Sequence, residues 1–574
     1  MWNMMKNENL VTQNLASGFS QACLVALIAI AIISPICLRA STGQADAVTN
    51  ADQMPTDTKL SEADELILAK MSLRQKVGQM LMVGFNGAYI NEGLDKVISE
   101  VRPGSIIVFG RNIKSARQIS NLNLLAQKQA IDATLVPLLI AVDQEGGNVM
   151  RLKTHIPLPS ALAFGSFNDP ALTERAGRAT GLLLKTLGFS MNLAPVFDLA
   201  SPLKKSFIGT RAFGDNPERV ANLGINFARG LQASGILPTS KHFPGHGDLA
   251  EDTHLAPSAK NSSLSHLQKF DLAPFFDQAK KLTAPSAIMV AHISYPALDT
   301  TDTPASFSKP VVTDLLRHQI NFDGIVLTDD IKMDGASVVG SPSERAIRAI
   351  EAGVDIVMVA WGLQTQIQVA NAITEAVRSG RIKQSRIDES LRRILLAKRR
   401  YASWSTTPPT NIEVSHALHN QEFDSIAELI INSRFSETSI SQLNKALPDR
   451  RNQEVFVFSS SPKFYKSFLK EAKGLNSKYF QLKGQDGPAI DKIIQKSPGA
   501  SAVFHVTGDH AAGIINRLNK KIAGRILVVN TQTRAIINKP KDFAAVVDVY
   551  SQHPELGKFA AKYFFAQPQL IEIK

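Results

Sequence analysis

From residue 79 onward, short apolar runs alternate with stretches in which apolar positions recur at helical spacing. The runs are "QMLMVGF" (79–85), "GSIIVFG" (104–110), "PLLIAVD" (137–143) and "FSMNLAPVFDL" (189–199), then "LPTSKHF" (237–243), "AIMVAHISY" (287–295), "GIVLTDD" (324–330) and "VDIVMVA" (354–360). Most are continuous rather than alternating, the pattern of strands buried on both faces of a parallel sheet. Between them the pattern turns helical. "NPERVANLGINFARGLQASG" (216–235) starts on an Asn suited to capping and stops on a Gly. Eight strand-then-helix units predict an α/β protein built on a (β/α)8 TIM-type barrel. The competing arrangement is a doubly wound open sheet. The count of eight, and the lack of a Gly-rich dinucleotide turn after the first strand, favour the barrel.

Polar residues collect at the C-terminal ends of these runs: Asp143, Asp198, Lys241, His242, His292, Asp329 and Asp330. A barrel builds its active site on that face. One such residue is an ordinary satisfied core group; so many at equivalent positions predict a site.

"STTPPTNIEVSHALHN" (405–420) has the composition of a linker. Four further apolar runs follow, "EVFVFSSS" (454–461), "SAVFHVTG" (501–508), "RILVVN" (525–530) and "FAAVVDVYS" (543–551), with helical stretches between them. They predict a second, smaller α/β sandwich domain. The expected organisation is an N-terminal signal peptide or anchor over 1–47, a linker over 48–59, the barrel over 60–404, a linker over 405–420 and the second domain over 421–574.

The N-terminal expectation rests on "ACLVALIAIAII" (22–33), a short apolar run after a polar stretch containing Lys6. Its length fits a signal h-region better than a membrane span, and Ala45-Asp46-Ala47 supplies an A-x-A cleavage site. Export to the periplasm, the cell wall or the medium is the expected outcome; retention of Ala22 to Leu38 would leave a membrane anchor instead. Both cysteines, Cys23 and Cys37, fall inside this segment, so a mature chain would carry no disulfide. The net charge of +12 is scattered. It fits a cationic surface beside an anionic polymer rather than a nucleic-acid footprint, and no nucleic acid is expected as a partner.

The densest chemistry lies in "KHFPGHGDLAEDTH" (241–254). His242 and His246 are four apart, a zinc-ligand spacing on a helix, but Pro244-Gly245 breaks any helix between them. The Gly-Lys-Ser/Thr of a phosphate loop is absent. Asp252 and His254 are two apart and point the same way in an extended segment. A carboxylate beside an imidazole fixes its tautomer and raises its pKa, which suits an acid–base group near neutral pH. Neither a metal nor a cofactor is predicted.

"KHFPGHG" followed by "DTH" resembles the β-N-acetylglucosaminidases of glycoside hydrolase family 3, in their two-domain, exported form. "DQEGGNVMR" (143–151), "GTRAFG" (209–214) and "LTDDIKMDGA" (327–336) resemble further segments of that family, so the likeness spans roughly residues 60 to 400. The resemblance implies Asp329 as nucleophile, with Asp330 its rival, and His254 as general acid and base oriented by Asp252. It implies that Asp143, Arg151, Arg211, Lys241 and His242 bind the terminal sugar. Asn148 stands where many relatives carry Arg. The implied activity is that of a retaining exo-β-N-acetylglucosaminidase, a monomer acting on a GlcNAc-terminated glycan or muropeptide. Alternatives are a β-glucosidase, β-xylosidase or β-glycoside phosphorylase of the same family, and a non-catalytic cell-wall-binding protein.

Overall fold

Eight strands close into a barrel: β1 (Leu81–Val83), β2 (Ser105–Val108), β3 (Leu139–Val142), β4 (Met191–Asn192), β5 (Leu237–Phe243), β6 (Ala287–Val290), β7 (Ile325–Asp330) and β8 (Ile356–Val359). All eight neighbouring pairs are parallel, and β8 returns to β1 with Leu81 opposite Val357. Each strand falls inside one of the eight apolar runs. The computed structural model describes residues 59–565 except 91, 248, 250–255, 283–285, 403–406, 436, 448–452, 473–475, 483–486, 498–499, 519 and 539. The segment 1–47, nearly all of 48–59, and the pair Asp252 and His254 therefore lie outside the described residues.

Burial on both faces explains the continuous runs. Adjacent residues point to opposite faces, yet Ile106 and Ile107, Ile140 and Ala141, and Val357 and Met358 are all buried. The run at 189–199 is longer than its strand. Pro195 has no N–H to give to a ladder, so β4 stops early and Val196 rejoins through a single bridge to Lys241. Helix α1 (Pro217–Ala233) starts as its sequence predicts, with the Asn216 side chain accepting the Arg219 N–H at 2.8 Å. Among the described residues no helix is long and apolar enough to cross a membrane.

Where a linker is expected over 405–420, Asn411–Leu418 form helix α2, opened by a capping box between Thr410 and Glu413. Val414 on α2 joins the barrel core, as do Phe423, Ile426, Ala427 and Ile430 on α3 (Gln421–Arg434). The apolar stripe of α2 is only Val414, Ala417 and Leu418, too short to register beside the Pro-rich residues before it. The helix α3, expected in the second domain, thus serves both bodies; the second core begins at its end with Ile431 and Phe435.

The second sheet comprises β9 (Val455–Ser459), β10 (Ser477–Gln481), β11 (Ser501–Val506), β12 (Ile526–Asn530) and β13 (Ala545–Asp548), all parallel in the order β10-β9-β11-β12-β13. Residues along β9 alternate between layers: Val455 and Val457 face one helical layer, Phe456 and Phe458 the other. Strand β10 lies in none of the apolar runs. Its residues, "SKYFQ", are mostly half-buried because it is an edge strand with one pairing partner.

The second domain touches the barrel at loops that carry site residues. The Ser160 hydroxyl donates to the Tyr550 carbonyl, the Ala535 N–H to the Pro202 carbonyl at 3.0 Å, and the Gln552 amide to Asn148 Oδ1 at 3.5 Å. Asn148, whose departure from the family pattern has no partner in sequence, thus faces the second domain.

At the N-terminal end of the barrel, Asp355 precedes β8 and is fully buried. It accepts hydrogen bonds from the Ser390 hydroxyl at 2.7 Å, the Val326 N–H at 3.0 Å, Arg393 at 3.2 Å and Arg317. Burial alone would raise its pKa, but Arg317, Arg393 and Arg386 outweigh that and hold it below the usual range. Asp355→Ala is expected to cost about 3–5 kcal/mol of stability by taking from the buried Arg317 its carboxylate partner, read from the denaturant midpoint. A depressed carboxylate stabilises the fold above its unfolded pKa, about 3.9, and loses that contribution as pH falls. The gap between wild type and variant should therefore hold from neutral pH down to about 4 and narrow below it; a gap that widens in acid would contradict the assignment.

Candidate active site

The C-terminal ends of the strands enclose a cavity of about 540 Å³. Asp143, Arg151, Arg211, Lys241, His242 and Asp329 all line it. Its floor is apolar, made by Ile107, Leu193, Met289 and Met358 from the barrel interior. Six of the eight site residues named from sequence are thus brought to one space. The other two, Asp252 and His254, lie outside the described residues.

A residue not assigned from sequence organises the array. Glu145 sits in a short hairpin just after β3 and is almost fully buried. Its carboxylate takes the Arg211 guanidinium in a two-pronged contact, 2.8 Å at each oxygen, and lies 2.7 Å from Lys241 Nζ. Lys241 also reaches Asp143 at 2.9 Å, and Asp143 lies 3.3 Å from Arg151. Three cations and two carboxylates alternate in one chain of contacts. Burial alone would raise Glu145, but Arg211 and Lys241 pull its pKa down to about 2. For Lys241, Glu145 and Asp143 overcome the burial that would otherwise lower it, and its pKa is raised. Glu145 and Lys241 are therefore both charged at neutral pH, and the chain of contacts is in place before a ligand arrives. The sequence signal was present: Glu145 is two residues from Asp143 in an extended segment, so both point the same way.

Asp198 holds the start of the histidine loop. It is fully buried beyond β4 and accepts from His242 Nδ1 at 2.6 Å, from the His242 N–H at 3.2 Å and from the His246 N–H at 2.7 Å. A carboxylate only accepts, so His242 Nδ1 carries its proton and Nε2 is the nitrogen free for a ligand. Burial would raise Asp198, yet the two histidines and the N–H bonds hold its pKa far below the usual range. His246 packs edge-on against His242 with ring centres 4.8 Å apart. Burial lowers His246 to about 4, so it is neutral at pH 7.

The loop also needs its glycines. Gly247 has φ +59, and a Cβ there would lie 1.8 Å from Lys260 Nζ and 2.9 Å from Asp271 Oδ1. Lys260 and Asp271 form a buried pair at 2.6 Å directly behind it, and the Tyr295 hydroxyl donates to the Gly245 carbonyl at 2.9 Å. The loop thus rests on a fixed support as far as residue 247.

The two adjacent aspartates at the tip of β7 differ in their surroundings. Asp330 Oδ1 accepts the N–H groups of Lys332 and Ala360, each at 3.2 Å, so it secures the turns after β7 and β8. Burial pushes Asp330 up to about 6, against those two N–H groups and with the help of the Asp329 charge. Asp329 accepts the Asp330 N–H at 2.8 Å and exerts its charge on His246 and His292. His292, stacked on Phe307 at 5.3 Å, meets the Asp330 carbonyl at 3.1 Å through Nε2, which must be the donor. That contact fixes the backbone on which Asp329 stands.

This is a parallel barrel with a charged, apolar-floored cavity at its strand ends, the architecture of an enzyme acting on a polyhydroxylated ligand. Residues 72–397 match the model of the glycosyl hydrolase family 3 N-terminal domain, and the chain belongs to that family; it is a glycoside hydrolase. A β-hexosaminidase of Pseudomonas aeruginosa is 36% identical over 282 residues, 49% of this chain and 81% of that one. The structure of a family 3 β-N-acetylglucosaminidase from Paenibacillus sp. str. FPU-7 superposes with a TM-score of 0.74 at 28% identity, over 86% of this chain and 96% of that one. A β-N-acetylhexosaminidase from Beutenbergia cavernae gives a TM-score of 0.53 at 32% identity, over 57% of this chain and 99% of the other.

The contrast between the aspartates is testable through stability. Asp330→Asn keeps an oxygen for both N–H groups and removes a charge that burial disfavours. A carboxylate raised to about 6 costs stability in full above that pH and none below the usual value near 4. The variant is expected to melt about 2–4 °C above wild type near pH 7.5, with the difference gone near pH 4. A lower melting temperature near pH 7.5 would mean that the charge is stabilised by the site.

Proposed function

We propose that this protein is an exported, retaining exo-β-N-acetylglucosaminidase that releases terminal GlcNAc from peptidoglycan fragments or related β-linked sugars. The observation that carries this reading is the placement of Asp329 across one cavity from the Asp143–Arg151–Arg211–Lys241–His242 array. The names of the relatives support the sugar. The apolar floor supports terminal rather than internal cleavage, because a chain cannot pass through it. Export rests on the N-terminal sequence alone.

In this mechanism the array holds the sugar's hydroxyls through charged hydrogen bonds in a pocket where water is largely replaced. The Asp329 carboxylate attacks the anomeric carbon as the bond to the leaving oxygen breaks, and His254 gives that oxygen its proton. The neutral His254, oriented by Asp252, then takes a proton from water, which displaces Asp329 and restores the free enzyme. An imidazolium donor removes the need for a second carboxyl with a raised pKa.

Asp329→Asn is expected to lower kcat by at least about 10³-fold with an unchanged melting temperature, since the charge is lost and the shape kept. A 5-fluoro β-GlcNAc fluoride should label Asp329 in the wild type, read by peptide mass; a label on Asp330 would reverse the assignment. His254→Ala should slow a GlcNAc disaccharide by about 10²–10⁴-fold and an activated aryl glycoside far less, because only the poor leaving group needs a proton. Equal losses on both substrates would remove His254 from the acid–base role. Product analysis with and without phosphate separates free GlcNAc from a sugar phosphate, and so hydrolysis from phosphorolysis.

A further inference from the structure

Asp143, Glu145, Val149 and Arg151 line the cavity from one short stretch, the hairpin after β3 and its flanks. The barrel holds the base of this hairpin. The Asn192 side chain on β4 accepts the Gln144 N–H and donates to the Gln144 carbonyl, each at 3.0 Å. The Gln144 side chain in turn accepts the N–H groups of Arg151 and Leu152, each at 3.0 Å. The tip is seated on residues 158–160. The Gly147 N–H donates to the Leu158 carbonyl at 2.9 Å. Gly146 and Gly147 both have positive φ, and a Cβ on them would lie 2.5 Å from the Pro159 carbonyl oxygen and 2.6 Å from the Ser160 Cβ. The seat leaves no room for a methyl group.

That seat rests on the second domain. The Ser160 hydroxyl donates to the Tyr550 carbonyl. Tyr550, two residues after β13, is buried and joins the barrel core, although the strand before it belongs to the second sheet. Its own segment is held from behind. Arg434 on α3 donates to the Asp548 carbonyl at 2.9 Å, and its guanidinium lies 5.6 Å from the centre of the Tyr550 ring. Asn530, the last residue of β12, donates its amide to the Asp548 carboxylate and accepts the Val549 N–H, each at 2.8 Å. Two residues further on, the Gln552 amide reaches Asn148 Oδ1 at 3.5 Å, on the hairpin tip itself. Two contacts from one anchored segment thus meet the same tip, one through Ser160 and one directly.

Glu145 stands between the base and the tip, next to Gly146. Its contacts with Arg211 and Lys241 at 2.7–2.8 Å tolerate little displacement, so both ends of the hairpin have to be fixed. We propose that Tyr550 and Gln552 of the second domain are positioning residues for the sugar-binding hairpin. They fix its tip through Ser160 and Asn148, and with it the carboxylates of Asp143 and Glu145 and the guanidinium of Arg151. Neither residue lines the cavity. The coupling is reciprocal: a sugar that holds the array in place also holds residues 549–552 against the barrel. This inference rests on the assignment above of the array to the terminal sugar, and it gives the second domain a part in binding that sugar.

The test uses the whole protein, a nitrophenyl β-GlcNAc substrate and free GlcNAc as its competitive inhibitor. A wild type that neither turns over the substrate nor binds GlcNAc would sink the underlying function and this inference with it. Given turnover, Tyr550→Ala should raise KM and the GlcNAc inhibition constant together by about fivefold, with kcat within about twofold of wild type. Tyr550→Phe keeps the ring and should return both constants to within about twofold. Gln552→Ala, at an exposed position, should keep its melting temperature and weaken GlcNAc by about twofold. A purely structural role would not couple to the array, so Tyr550→Ala is combined with Arg151→Ala. The two losses in GlcNAc affinity should fall short of their product, because both act on one hairpin. GlcNAc should also slow amide hydrogen exchange over residues 549–552 in wild type, a readout that needs no variant to fold. Unchanged inhibition constants in Tyr550→Ala and Gln552→Ala, losses that multiply in full with Arg151→Ala, or exchange over 549–552 indifferent to GlcNAc would each overturn the inference while leaving the function standing.

Discussion

Three strand ends become one surface at Glu145. Arg211 comes from the loop after β4 and Lys241 from within β5; Lys241 is buried at the barrel mouth and Arg211 mostly so. A buried cation without a partner costs several kcal/mol, so neither position is tenable unless a carboxylate lies between them. Glu145 answers both at 2.7–2.8 Å, and Asp143 extends the chain to Arg151. The positions of these side chains are settled by their mutual neutralisation rather than by the backbone alone. A ligand entering the cavity meets donors and acceptors already aimed, the arrangement that lets charge be stabilised without reorganisation.

A second carboxylate does for the histidines what Glu145 does for the cations. Asp198 binds one ring nitrogen and two backbone N–H groups, so the turn from His242 to His246 is held at both ends. Lys260, Asp271 and Tyr295 press on the same turn from behind. On the far side of the mouth, His292 and the Asp330 carboxylate fix the backbone around Asp329. The cavity is thus held by buried polar contacts on both sides, while its floor is ordinary barrel core.

The second domain belongs to this scheme through contact rather than chemistry. Tyr550, Ala535 and Gln552 rest on the barrel segments that carry Asp143, Arg151 and Arg211. Helix α3 packs into the barrel core on one stretch and opens the second core on the next. The two bodies share a helix and a set of loops, and among the described residues the second domain bears on the cavity without lining it.

By itself the sequence determined the barrel, because eight strands buried on both faces require eight continuous apolar runs, and those runs are local. It also determined which side chains stand at the strand ends, and it carried the family motifs from "DQEGGNVMR" to "LTDDIKMDGA". It misled at 405–420, where a short apolar stripe beside prolines reads as linker and folds as α2, and it passed over β10, whose edge position leaves no buried run to read. Only the tertiary structure decided that Glu145 bridges Arg211 and Lys241, that Asp198 clamps His242 and His246, and that Trp361 stacks on Phe109. The partners in these contacts come from different loops and lie tens to hundreds of positions apart in the chain. No local periodicity records such a meeting, because it depends on closure of the barrel, which brings β8 back beside β1 and gathers the strand ends around one space.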